Sequence, residues 1–262
     1  MNRLPIGIYI PGNSLLHRLD ARVKLLCLIT LVVAIIYTNS LPGYGIMALL
    51  TAILVLLSRL DLKTAAASVK RVIPFFLIIF LMNSLFYDKG EALWSWWILR
   101  PSVDGMIIGA NVVLKLIFLM ILFNILMSTT APMKVTSALG TLLHPLSYIG
   151  IPVTILALMI SVAIQFIPTL MEEMEMIRRA QTARGARFDS PRLKEKAESI
   201  MPLVIPIFIS AFRRADELAM AMEARGYRGG KRRAGKSTPL QKYDFTAMAV
   251  STAICLVQIF AL

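Results

Sequence analysis

The stretch 25–58 contains no charged side chain, and further apolar runs cover 72–87, 105–130 and 245–262. In hydrocarbon a segment must close its backbone hydrogen bonds within itself, so apolar runs of about 20 residues fold as membrane-crossing helices. Leu41-Pro42-Gly43 divides the first stretch into 23–38 and 43–57, joined by a tight turn, which brings the expected spans to five. The run 72–87 is short, and the flanking Lys70, Arg71 and Lys89 would have to snorkel. Composition agrees. The chain is 57% apolar and 16% charged with a mean hydropathy of +0.72, against about 45–50% and about 25% in soluble domains. Collagen, disorder, coiled coil and a disulfide scaffold are excluded by the same numbers. Cys27 and Cys255 both lie in apolar runs and point to neither a metal site nor a disulfide framework. The first apolar run begins only after Lys24, outruns a signal peptide and has no Ala-x-Ala site after it, so it reads as a retained span.

The formal charge is +13, from 28 Lys and Arg against 15 Asp and Glu. In a membrane protein such an excess marks cytoplasmic loops facing anionic lipid, and no nucleic-acid partner is expected. Arg3, Arg18, Arg22 and Lys24 precede the first span, and Arg59, Lys63, Lys70 and Arg71 follow the second. Both segments read as cytoplasmic, with the N-terminus inside the cell membrane. Trp94, Trp96 and Trp97 form an aromatic belt at the outer interface. Residues 172–242 hold 16 Lys and Arg against 9 Asp and Glu. They would lie outside if 150–171 crossed, so that segment is expected to lie in or under the membrane. The last run then crosses outward. The expected fold is an all-α membrane protein. Residues 1–22 form a cytosolic or interfacial segment and 23–130 four spans. Residues 131–242 form a cytosolic coupling region of amphipathic helices, and 243–262 the last span.

Within the coupling region Ile207, Ala211, Ala215, Leu218 and Met222 recur at spacings of three and four, one face of a helix. Arg213, Arg214, Asp216 and Glu217 are expected off that stripe. An earlier helix sets Met171, Met174 and Ile177 against Glu172, Glu173, Glu175, Arg178 and Arg179, and Pro191 and Pro202 are expected to separate the helices. Met171, Met174, Met176, Met201, Met220 and Met222 supply side chains that repack readily against alternative partners.

One pattern occurs twice. Ala180-x-x-Ala183-Arg184-Gly185-x-Arg187 matches Ala221-x-x-Ala224-Arg225-Gly226-x-Arg228, 41 residues later, each at the end of an amphipathic stretch. Ordinary C-capping explains a single copy, with Gly in the left-handed conformation and Arg beside the negative helix end. Two copies with five shared residues favour a duplicated docking element. Ala and Gly let a partner come close, and Arg can hold a carboxylate bidentately.

These repeats resemble the coupling signature of the transmembrane T component of energy-coupling factor transporters, the vitamin and metal-ion uptake branch of ABC transporters. The N-terminal run Gly7-x-Tyr9-x-Pro11-Gly12-x-Ser14-x-x-His17-x-Leu19-Asp20-x-Arg22-x-Lys24 is also similar to that family's opening segment. The resemblance spans nearly the whole chain. It implies a non-catalytic scaffold whose two Ala-Arg-Gly helix ends, Ala183-Arg184-Gly185 and Ala224-Arg225-Gly226, dock into two ATPase subunits. It implies that a small membrane subunit binds the substrate and packs on the helix pair. ATP and Mg would reside in the ATPases, and this chain would hold no cofactor.

Rival readings are weaker. Gly230-Lys-Arg-Arg-Ala-Gly235-Lys236-Ser237 satisfies the phosphate-loop pattern, but a helix end precedes it, Thr-Pro follows, and the sequence offers no strand. Its Lys231-Arg232-Arg233 suits anionic headgroups better. His17 and His144 have no partners at metal-ligand spacing. His17 with Asp20 reads as an interfacial cap, and His144-Pro145 as a helix break. A self-contained secondary transporter or channel would show converging intramembrane polar groups and an inverted repeat. Here there is one intramembrane lysine, Lys115, with Asn111 one turn before it. We expect Lys115 to be turned into the bundle and held by amide or carbonyl oxygens.

Overall fold

The computed structural model describes residue 12 and residues 14–59, 62–86, 102–150, 152–186, 188, 193–227 and 240–260, and among them the regular elements are helices. In chain order these are α1 (Leu15–Arg18), α2 (Ala21–Tyr37), α3 (Leu41–Ser58), α4 (Leu62–Phe86), α5 (Val103–Thr129) and α6 (Pro132–Leu142). A 3-10 segment (His144–Ile149) precedes α7 (Val153–Ala183), α8 (Leu193–Ala224) and α9 (Lys242–Phe260). The tryptophan belt, Pro191, Arg187, Arg228, the phosphate-loop match and the start of the N-terminal signature lie outside the described residues. The chain divides into two compact units, one of Met1–Ala138 with Thr238–Leu262, the other of Leu139–Ser237.

By length and composition, five described helices can cross a membrane: Leu41–Ser58, Val69–Phe86, Val103–Thr129, Ile155–Ala183 and Lys242–Phe260. Four of these are the expected second to fifth spans. α2, at 17 residues, sits at the lower limit of about 17–25 for a crossing helix. The change of composition at Met171 is not a structural boundary. α7 runs for 31 residues straight through it, because the apolar periodicity continues on one face while the charges occupy the others.

In the first unit α5 is central, packed against α2, α3 and α4, while α2 lies along α9. Gly109 makes the α4–α5 approach possible, since a Cβ there would stand 3.1 Å from the Phe80 carbonyl oxygen. α2 and α9 run parallel and are tied at both ends and between. At the start the Asp244 carboxylate, only 2% exposed, accepts from the Asp20 N–H (3.0 Å) and the Gln241 N–H (2.8 Å). Midway Ser251 Oγ donates to Cys27 Sγ. At the far end the buried Gln258 donates to the Gly43 carbonyl and accepts from Thr38 Oγ1, both at 3.1 Å.

Two lysines tie α2 to α5, and they do so reciprocally. Lys24, near the start of α2, donates to the Thr129 carbonyl and to Thr130 Oγ1 at the end of α5, both at 3.0 Å. Lys115, on α5, donates to the Ile36 carbonyl (2.9 Å) at the end of α2 and to Asn39 Oδ1 (3.1 Å). Each helix thus lends a cation to the other's orphan carbonyls, where the negative end of the helix dipole also favours it. Lys115 is held by carbonyl and amide oxygens as expected, with Asn39 supplying the amide.

The N-terminal signature acts as a cap. Asp20 is the N-cap of α2, accepting from the Arg22 N–H at 2.9 Å, and it takes both ends of the Arg22 guanidinium fork. These bonds to Asp20 raise the Arg22 pKa. His17 pairs with Ser14 Oγ at 2.6 Å. His144-Pro145 does break a helix, opening the 3-10 segment after α6. Two proline expectations need correction. Leu41-Pro42-Gly43 is the first turn of α3, capped by Ser40, because proline suits a position whose N–H has no intrahelical partner. Pro202 lies inside α8, with Pro206; the periodic apolar face continues past it, so the lost hydrogen bond does not end the helix.

Two outcomes follow for this unit. A Cβ at Gly43 would stand 2.7 Å from Gln258 Oε1, while one at Gly45 meets nothing within 4 Å. Gly43→Ala should therefore cost about 1–3 kcal/mol by unpairing buried amide and hydroxyl groups, and Gly45→Ala should cost nothing, both read as Tm in detergent. Lys115→Gln, which withdraws the cation from the end of α2, should also cost about 1–3 kcal/mol. It should lower yield and Tm more than transport per assembled complex. Normal assembly with transport abolished would instead make Lys115 a transport residue.

Candidate functional site

The duplicated motif folds the same way twice. Gly185 (φ +92°) and Gly226 (φ +72°) both occupy the left-handed region. A Cβ at either position would meet nothing within 4 Å, so backbone conformation and not space demands glycine there. At the end of α7 the Gly185 N–H donates to the Thr182 carbonyl and the Ala186 N–H to the Gln181 carbonyl, both at 3.0 Å. At the end of α8 the Gly226 N–H donates to Glu223 (2.8 Å) and the Tyr227 N–H to Met222 (3.0 Å). This is the Schellman arrangement, reproduced bond for bond 41 residues apart.

The capping reading of the motif is therefore correct for its glycine, and it leaves the arginine available. Backbone amides satisfy the carbonyls of Ala180, Gln181 and Thr182 in one copy and of Ala221, Met222 and Glu223 in the other, without using either guanidinium. Ala183, Arg184, Gly185, Ala224, Arg225 and Gly226 are all exposed. Among the described residues neither the Arg184 nor the Arg225 side chain makes a hydrogen bond or ion pair. Three other described arginines of this unit are engaged, while Arg213 is exposed without such a contact. Arg179 bonds Glu175 (3.2 Å), Arg178 lies 5.7 Å over the Phe188 ring, and Arg214 bonds Glu173 (3.1 Å). Each helix thus ends in an unspent guanidinium fork flanked by two small residues, which suits docking of a carboxylate.

The apolar stripe has a different neighbour from the one its composition suggests. Met174, Ile177, Ile207, Ala211, Leu218 and Met222 are half-buried, and only Ala215 is exposed. Arg214, expected off the stripe, lies on the side turned to α7, where it reaches Glu173. Leu218 shares a cleft of about 540 Å³ with Phe166 of α7. The stripe is in large part the contact between α7 and α8. Sequence reading missed the outward apolar face of α8, where Met201 (61%), Phe208 (57%) and Phe212 (67%) are exposed, with the two rings 6.4 Å apart. Its signal was present as a second periodic set, with Phe208 and Phe212 one turn apart, hidden because the first stripe led straight to the motif.

Among the described residues no group of three or more His, Cys, Asp or Glu side chains is placed to hold a metal ion. The chain matches the family profile described as cobalt transport protein (CbiQ) over residues 12–236. It is 37% identical over 262 residues to the energy-coupling factor transporter transmembrane protein EcfT of Bacillus subtilis, covering 100% of this chain and 97% of that protein. The EcfT proteins of Brevibacillus brevis (44% over 250 residues) and Ruminiclostridium cellulolyticum (40% over 248) are likewise similar, each across 94% of this chain and 91% of the relative. With a helical membrane architecture and two matched arginine-bearing helix ends, the chain belongs to the family of energy-coupling factor transporter transmembrane proteins, the non-catalytic membrane component of such transporters.

Proposed function

We propose that the chain works by docking two ABC-type ATPase subunits on Arg184 and Arg225 and passing their ATP-driven motion to a small membrane subunit that binds a vitamin or metal ion. The observation that carries this reading is the pair of identical caps, each satisfying its own carbonyls and leaving one arginine unpaired in the open. Two equivalent ends call for two equivalent acceptors. ATP and Mg belong to the ATPases. The substrate subunit packs on the α7–α8 pair, using the parts of Met174, Ile177, Ile207, Ala211, Ala215, Leu218 and Met222 left open, together with the outward Phe208 and Phe212. Residues 131–242 face the cytosol, Lys231-Arg232-Arg233 meets anionic headgroups, and the N-terminus is inside with the C-terminus outside. This orientation rests on the distribution of Lys and Arg.

The docking test is substitution. Once buried in a complex, a charge pair that loses one partner costs about 3–5 kcal/mol. Arg184→Ala or Arg225→Ala should weaken ATPase pull-down or uncouple hydrolysis from uptake while the membrane part stays folded, and the double variant should be worse. Arg→Lys should rescue only in part, since an ammonium lacks the bidentate fork. Normal binding and uptake by both Ala variants would reduce the motif to a pair of helix caps. Orientation has its own check, cysteine labelling in sealed cells. A cysteine at position 192 or 231 should resist a membrane-impermeant reagent from outside, and reaction there would reverse the proposed topology.

A further inference from the structure

The ion pair between α7 and α8 joins positions that are themselves equivalent in the repeat. Glu173 and Arg214 are 41 residues apart, the same interval that separates Arg184 from Arg225. Residues that meet their own repeat equivalent lie on an approximate two-fold axis relating the two copies. The flanking faces obey the same relation. Phe166, Leu170, Glu173 and Ile177 on α7 are half-buried, and so are their equivalents Ile207, Ala211, Arg214 and Leu218 on α8.

The charges at the axis are opposite in sign, which lets equivalent positions attract where identical ones would repel. Their N···O distance is 3.1 Å, with side-chain exposures of 32% for Arg214 and 27% for Glu173. From this pair to the docking arginine is eleven residues on each helix, an arm of about 16 Å at about 1.5 Å per residue. Both arms, 173–183 and 214–224, are free of glycine and proline, whereas Pro168, Pro202 and Pro206 all lie on the other side of the pair. Stiff, equal arms therefore lead from one cross-link to both docking ends.

We infer that Glu173 and Arg214 are positioning residues, the fulcrum of a pseudo-two-fold fork that fixes the spread of Arg184 and Arg225 and so transmits motion from one docking end to the other. This rests on the docking reading. The pair's observed contact is internal, between α7 and α8. Its role is to make the two arms move as one body, so that displacement of either end is felt at the crossing and not absorbed by slippage between the helices.

The test uses the whole transporter, co-expressed with its ATPases and substrate subunit and reconstituted in proteoliposomes. Arg214→Glu and Glu173→Arg each place like charges at the axis, and the double variant restores attraction with the signs exchanged. Three quantities are read: ATPases recovered by pull-down, uptake per ATP hydrolysed, and the distance between spin labels at Thr182→Cys and Glu223→Cys in a chain whose Cys27 and Cys255 are replaced by Ser. The single variants should lower uptake per ATP by about five-fold or more and broaden the label distance, and the double variant should return both toward native. A single variant with native coupling and a native distance overturns the inference. So does a double variant no better than the singles. Loss of ATPases in a single variant that the double variant repairs supports it. If Arg184→Ala and Arg225→Ala keep their ATPases, the docking reading fails separately, and the label distance still reports on the crossing.

Discussion

A helix ending in or near hydrocarbon leaves carbonyl groups with no amide to accept, and water is not there to help. Much of this protein's membrane unit is organised around that shortage. α2 and α5 each place a lysine on the other's terminal carbonyls, which fixes their antiparallel pairing and register together. A slip of one helix past the other would strand both cations and both sets of carbonyls. α9 is then added to α2 by groups of the same kind, Asp244 on amides at one end and Gln258 on Gly43 and Thr38 at the other. Among the described residues every buried side-chain nitrogen and oxygen finds a partner, as a low-dielectric setting requires.

Hydropathy reveals where apolar helices are but not where they stop when the chain changes solvent. Apolar runs placed four long helices to within a few residues at most ends, α4 excepted. Its start at Leu62 precedes the apolar run, because the basic Lys70 and Arg71 are perfectly good helix residues. The same cause joined 153–171 to 172–183. Met171 marks a change of surroundings, and helix propensity takes no notice of it. Prolines misled for a related reason: Pro42 opens a helix and Pro202 sits within one, two placements that a residue type alone cannot tell apart.

The coupling region was legible as chemistry and less so as packing. The repeated Ala-Arg-Gly fixed both helix ends to the residue, since glycine adopts without steric cost the positive φ found at 185 and 226. Which side of α8 faces its neighbour was not legible, because two apolar sets compete on that helix. Arg214 decided it. A half-buried arginine needs a carboxylate, and Glu173 lies where the repeat would put one.

The opposite charges at the crossing also bear on association between copies of this chain. Two helices that share one pattern are close enough in shape to pair with themselves, so two molecules in one membrane could exchange partners. An α7–α7 pairing would bring Glu173 onto Glu173, with Glu172 and Glu175 beside it, and an α8–α8 pairing would stack Arg213 and Arg214 on their own copies. Either arrangement brings like charges together at the crossing, where the α7–α8 pairing brings opposite ones. The asymmetry of charge laid over a symmetry of shape therefore favours pairing of α7 with α8 over pairing of either helix with its own copy.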